Sequence, residues 1–156
     1  VRVIIPFTRL DPRTARLADE HLPGHHRVRI TAGDDTGYWR VLLGEWRRTG
    51  GLLVVEHDIG VHEDVLPQTA VCPRHWCAFP YQVAGTVQPA LGCTRFSAAL
   101  KATEPDLLDV VGQVSGDGLP AGDWRRLDVR LAAELQARGY RMHVHSPPVR
   151  HFHGYT

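Results

Sequence analysis

The first sixty residues alternate short apolar runs with stretches of helical spacing. Val1 to Phe7, VRVIIPF, reads as a β-branched strand. Asp11-Pro12 opens a helix, with Asp as N-cap and Pro at the first helical position, and Pro23-Gly24 closes it. His26 to Thr31, HRVRIT, alternates as a second strand and ends in the polar turn Ala32-Gly33-Asp34-Asp35. Trp39, Leu42, Leu43 and Trp46 fall at helical spacing across Tyr38 to Arg48, and Gly50-Gly51 stop that helix. LLVVEHD then predicts a third strand, whose continuous LLVV run calls for cover on both faces.

The second half is less regular. His62 to Leu66 predicts a short helix, and Trp76 to Tyr81, WCAFPY, a strand placed at a sheet edge by Pro80. Residues 90–94 predict a small-residue strand leading into a helix at Ser97 to Ala102, and Glu104 to Val111 a further helix. Asp123 to Arg138 is the clearest helix, with Trp124, Leu127, Leu131 and Leu135 as its apolar stripe and Gly139 as C-cap. Arg141 to His145 predicts a closing strand.

Strands alternating with helices of about a dozen residues imply right-handed βαβ units. The expected fold is α/β: a single domain, 1–156, built as a three-layer α/β/α sandwich around a mostly parallel sheet. Ligands of such sheets bind beyond the carboxyl ends of the strands. Phe7-Thr8-Arg9, Gly33-Asp34-Asp35 and Glu56-His57-Asp58 end three separate strands and should therefore meet on one rim.

Composition narrows the function. A net charge of +1 argues against a nucleic-acid partner, which needs a clustered basic excess. No apolar run reaches the length of a membrane span. Cys72, Cys77 and Cys93 are an odd set without a secretion signal, so reduced thiols and a cytoplasmic location are expected. CPRHWC fits zinc-ligand spacing poorly and reads as buried thiols. The edge-like WCAFPY strand leaves room for a homodimer.

A carboxylate-x-carboxylate at a strand end suits a hard divalent cation, which takes one or two carboxylates plus phosphate oxygens. Alternation puts Glu56 and Asp58 on one side and His57 on the other. The tail HVHSPPVRHFH places His143 with His145, and His151 with His153, on common faces if extended; a neutral imidazole there would add a ligand for Mn²⁺ or Zn²⁺.

VRVIIPFTR, AGDD, VVEHDI, LGCTRFSAAL and the closing WRRLDVRLAAELQARGYRMHVHSPPVRHFH occur in an order that resembles a compact GT-A fold glycosyltransferase, closest to the family 2-like nucleotide-sugar enzymes. The resemblance spans nearly the whole chain. It implies a Rossmann-like nucleotide-binding half (1–60) and an acceptor-side half (61–156). VVEHDI looks like the family's DxD motif with Glu as its first member. The motif falls on the third strand, as if one βα unit were absent, and the family's acidic pair on the late helix is Leu127-Asp128 here.

On that resemblance, Asp58 with His151 or His153 would bind Mn²⁺ or Mg²⁺ at the diphosphate of a nucleoside-diphosphate sugar. Pro6, Phe7, Thr8, Arg9, Asp34, Asp35 and Glu56 would hold the donor. Asp128 would be the catalytic base toward a carbohydrate or protein acceptor, giving inversion. Trp76, Phe79 and Tyr81 would line the acceptor groove. The alternatives are a metal-dependent phosphoryl or nucleotidyl enzyme, and a non-catalytic module binding a nucleotide-sugar or a metal.

Overall fold

A computed structural model describes residues 1–83, 86–88 and 91–152. The elements run β1 (Arg2–Phe7), α1 (Pro12–His21), β2 (His26–Arg29), α2 (Gly37–Trp46), β3 (Leu52–Val55), β4 (Ile59–Gly60) and α3 (Val65–Val71). There follow β5 (Trp76–Ala78), β6 (Tyr81–Val83), β7 (Thr86–Gln88), β8 (Cys93–Phe96), α4 (Ala98–Thr103), α5 (Leu107–Val111), α6 (Trp124–Ala137), β9 (His143–Val144) and β10 (Arg150–His151).

The main sheet has the order β2-β1-β3-β8-β5-β9. β1 pairs in parallel with both β2 and β3, β8 is antiparallel to both β3 and β5, and β9 is parallel to β5. Five of these six described strands therefore point the same way, with β8 reversed. The fold is a mixed α/β domain with a mostly parallel central sheet.

Strand alternation divides the core into two layers. Ile4, Leu52 and Val54 face Leu42 and Trp46 of α2, Leu100 of α4, Leu107 of α5 and Leu127 and Leu131 of α6. Val3, Ile5, Leu53 and Val55 face the opposite way, onto Ala18 of α1, Leu22 and Val65 of α3. All four residues of LLVV are buried, as a strand covered on both faces requires.

α1 follows β1 on one face and α2 follows β2 on the other, so the chain reverses its winding between β1 and β3. That is the topological switch point, where a crevice opens beyond the strand ends. Asp11 caps α1 by accepting from Arg13 N, and its own N–H donates to the His57 carbonyl at 3.0 Å. This bond ties the connection after β1 to the turn after β3.

Three expectations change. WCAFPY is not an edge: β5 lies between β8 and β9, and among the described residues the sheet edges are β2 and β9. The exposed strand expected to pair with a second copy is thus internal. Trp76, Phe79 and Tyr81 are 4%, 0% and 6% exposed, so they are core residues rather than the lining of an acceptor groove. The short helix starts at Val65 instead of His62, because His62 Nδ1 accepts from Asp64 N and holds a turn there. Among the described residues, no helix is long and apolar enough to cross a membrane.

Candidate active site

The carboxyl ends of β1 and β3 open into a cleft of about 160 Å³, closed on its far side by α6. Pro6, Phe7 and Thr8 form one wall, and Asp34 and Asp35 the rim. Glu56 and His57 come from the end of β3, and Trp124, Leu127 and Asp128 from α6. The three strand-end motifs do meet, and residues of both halves of the chain line the space. Arg9 is exposed and stands outside the cleft lining. His153 lies outside the described residues.

The α6 wall is fixed at its first turn. Asp123 is fully buried, accepts from Arg125 N, and binds the Arg125 guanidinium at 2.7 Å. That guanidinium holds the Asp123 carboxyl down to about 2. Trp124 N–H donates to the Asp35 carbonyl at 3.0 Å, locking the helix start to the acidic turn. The turn is held in its own right by the Arg40 guanidinium, which bonds Asp34 and Thr36.

β3 ends at Val55, so strand alternation does not carry through residues 56–58. Glu56 N–H donates to Gly92 O, and its carbonyl accepts from Ile59 N in a tight turn. The two carboxylates consequently separate. Glu56 enters the cleft, where its Oε1 accepts from the Tyr38 hydroxyl at 3.3 Å. Burial, then the charges of Asp58 and Asp128, push Glu56 up to about 7, against the lowering effect of the Tyr38 bond. Tyr38 is pushed well above its ordinary value by burial and by Glu56.

Asp58 is buried and, like His151, is not part of the cleft lining; its Oδ2 lies 2.9 Å from His151 Nε2. β10 brings His151 there. It pairs antiparallel with β4, and Phe152 N–H donates to the Asp58 carbonyl at 2.8 Å. The contact is a hydrogen bond between a carboxylate and an imidazole; the same spacing is that of two neighbouring ligands of an octahedral ion, which bonds at about 2.1 Å and holds them about 3 Å apart. Among the described residues no third His, Cys, Asp or Glu donor closes around the pair. Phosphate oxygens and water would complete such a shell.

Sequence reasoning missed two parts of the site. Tyr38 was legible only as the start of α2, yet it is the hydrogen-bond partner of Glu56. Trp124 belongs to no core stripe: it is 55% exposed and lines the cleft mouth. An aromatic one residue after an N-cap Asp was the available signal, since the first turn of a docked helix projects beyond the packed layer.

No family model and no curated protein sequence matches the chain. Solved structures do. A glycosyltransferase involved in the glycosylation of the major capsid of PBCV-1 aligns with a TM-score of 0.57 at 10% identity, covering 94% of this chain and 81% of that one. The chain has a GT-A-like fold. The 2-C-methyl-D-erythritol 4-phosphate cytidylyltransferase from Thermus thermophilus shares it with a TM-score of 0.52 at 17% identity, over 94% of this chain and 88% of that one. A197 from STIV aligns at 0.53 and 10% identity, over 94% and 82%. The GT-A-like fold is thus common to a glycosyl and a nucleotidyl transferase.

Proposed function

We propose that the protein is a metal-dependent glycosyltransferase that moves a sugar from a nucleoside-diphosphate sugar to an acceptor hydroxyl with inversion. One observation carries this reading. Among the described residues, the cleft at the switch point is lined by four carboxylates, Asp34, Asp35, Glu56 and Asp128, and by no Lys or Arg. Such a lining suits hydroxyl-rich sugars and ribose, whose O–H groups donate to carboxylates. It repels a bare diphosphate, so an anionic donor needs a cation with it.

Asp58 and His151 have the donor chemistry and spacing for Mn²⁺ or Mg²⁺. When bound, the ion would supply Lewis-acid stabilisation to the departing nucleoside diphosphate. The remaining roles belong to the chain's own side chains. Pro6 to Thr8 and the Asp34-Asp35 rim hold the nucleoside, with Trp124 offering a flat apolar face at the mouth. Glu56, fixed by Tyr38, holds a ribose or sugar hydroxyl. Asp128 takes the proton of the acceptor hydroxyl as its oxygen attacks the anomeric carbon from the face opposite the leaving group.

The likeness to a cytidylyltransferase favours a second reading, nucleotidyl transfer from a nucleoside triphosphate. One experiment separates the two: thermal unfolding with UDP-, GDP- and CDP-sugars and with the four nucleoside triphosphates, each with and without Mn²⁺. A ligand that binds only the folded chain raises the midpoint by mass action. The glycosyltransferase reading expects Mn²⁺-dependent stabilisation by a diphosphate sugar. Stabilisation by triphosphates alone supports nucleotidyl transfer, and no nucleotide effect overturns both.

A further inference from the structure

A second group of metal-ligating side chains lies away from the cleft, across the far edge of the sheet. Cys72 ends α3, while His143 and His145 stand two residues apart on the edge strand β9 and its continuation. One donor atom from each of the three lies within 4.8 Å of the others. Seventy-one residues separate Cys72 from His143, so this meeting is a product of the tertiary fold. It is the sole set of three such donors among the described residues.

The three are held by different means. His145 N–H donates to Ala78 O at 2.9 Å, which extends the β5 pairing one step past β9. Its ring stacks on Phe79 with centroids 4.9 Å apart and meets the His143 ring edge-on at 4.7 Å. Cys72 is buried, and its carbonyl accepts from Arg95. His143 is exposed and can turn toward the other two.

A second observation points to a ligand. His145 is 8% exposed, and its Nε2 is buried with no hydrogen-bond partner among the described residues. A buried imidazole nitrogen without a partner loses its hydration for nothing in return unless something binds it.

We propose that Cys72, His143 and His145 form a Zn²⁺ site. A thiolate with two imidazoles is a borderline-soft donor set that suits zinc and ill suits Mg²⁺ or Ca²⁺. Tetrahedral zinc with bonds of about 2.0–2.3 Å spaces its ligand atoms roughly 3.3–3.8 Å apart. The three atoms therefore need to close by no more than about 1.5 Å on binding, a movement within reach of the exposed His143 side chain. A water or an exogenous ligand takes the fourth position.

The site has a structural consequence. It ties the end of α3 to the edge strand, and the chain leaving His145 runs through Ser146, whose carbonyl accepts from Gln68 of α3 at 2.9 Å, to His151 beside Asp58. A zinc clamp at residues 143 and 145 restrains the segment that delivers His151. This inference stands apart from the glycosyltransferase reading, because it concerns different residues on a different part of the sheet.

The test uses the full chain, reduced and stripped of metal, titrated with Co²⁺ and then with Zn²⁺ alone. The expected result is one thiolate-bound, tetrahedral Co²⁺ per chain, read from the intense visible bands of that geometry and a sulfur-to-cobalt charge-transfer band in the near ultraviolet. Zn²⁺ should displace it and raise the unfolding midpoint. Cys72→Ser should abolish the charge-transfer band. His143→Gln, at an exposed position that leaves folding intact, should weaken Zn²⁺ binding roughly tenfold or more. Asp58→Asn should change none of this. A wild-type spectrum without the charge-transfer band, or Zn²⁺ affinity undiminished in His143→Gln, would overturn the proposal; so would loss of the cobalt bands in Asp58→Asn alone.

Discussion

Asp58 Oδ2 and His151 Nε2 lie 2.9 Å apart although 93 residues separate them in the chain. Neither reaches the other through its own strand. Asp58 sits in the turn after β3, and β10 is drawn alongside by its pairing with β4 and by the Phe152–Asp58 backbone bond. If this pair holds the ion that carries the donor diphosphate, removing either partner has a defined effect. His151→Gln and Asp58→Asn should each abolish the Mn²⁺-dependent part of nucleotide-sugar stabilisation. Thermal unfolding with and without Mn²⁺ measures it, and a full metal effect in both variants would contradict the assignment.

Asp128 is the base in the proposed reaction. Asp128→Asn should lower transfer or donor hydrolysis by about 10²- to 10⁴-fold while leaving donor affinity within a few-fold. Single-turnover assays beside equilibrium binding separate the two quantities. Loss of binding together with rate would mean that Asp128 holds the donor instead.

Glu56 makes stability depend on pH. Its carboxyl is raised from 4.5 to about 7 in the folded chain, so the folded state holds this proton more tightly than the unfolded state. The penalty for ionising it is absent below the unfolded value, grows between there and about 7, and is complete above. Glu56→Gln removes that penalty. Discounted for partial exposure, the gain is about 2 kcal/mol at pH 8, or roughly 4–8 °C in the unfolding midpoint, with no gain at pH 4. A midpoint difference between variant and wild type that is flat with pH would sink the idea.

Trp124 is more than half exposed, so Trp124→Ala should change stability by less than about 0.5 kcal/mol. If its ring covers the base or sugar, the same substitution should weaken donor binding by about 1–3 kcal/mol, the range of an aromatic stacking contact. Isothermal titration of the matched variants measures this directly. Unchanged affinity would assign the donor to another wall of the cleft.

Gly92 has no room for a side chain: a Cβ there would sit 2.4 Å from Tyr81 Cε1, inside a packed core. Gly92 O also receives the Glu56 N–H. Gly92→Ala should cost about 1–3 kcal/mol, as overpacking does. It should also shift the pH dependence attributed to Glu56. Denaturant unfolding at pH 5 and pH 8 gives both numbers.

Local pattern was enough for the elements from β1 to β3, because each depends on neighbours within a few residues: the Asp11-Pro12 cap, the helical spacing from Trp39 to Trp46, the Gly50-Gly51 stop and the unbroken LLVV run. Those elements also fixed which motifs end on the rim, since parallel strands send their carboxyl ends the same way. The Trp124 misassignment has a physical cause. Helical periodicity finds the apolar face but not the point where the packed layer ends, and α6 starts beyond that edge. WCAFPY misled in the same way: Pro80 lies just after β5, and nothing local reveals that β8 and β9 flank that strand.

The amino-acid order by itself therefore determined the α/β class, the parallel first half and the acidic rim, because periodicity, capping and glycine stops act over a single turn or strand. Tertiary structure alone decided which side chains meet. It parted Glu56 from Asp58, gave Glu56 to Tyr38 and Asp58 to His151, and set Cys72 against His143 and His145. Those pairings depend on strand order and on the path of the tail, and contacts across dozens of residues are set by the packing of whole layers, which no local pattern encodes.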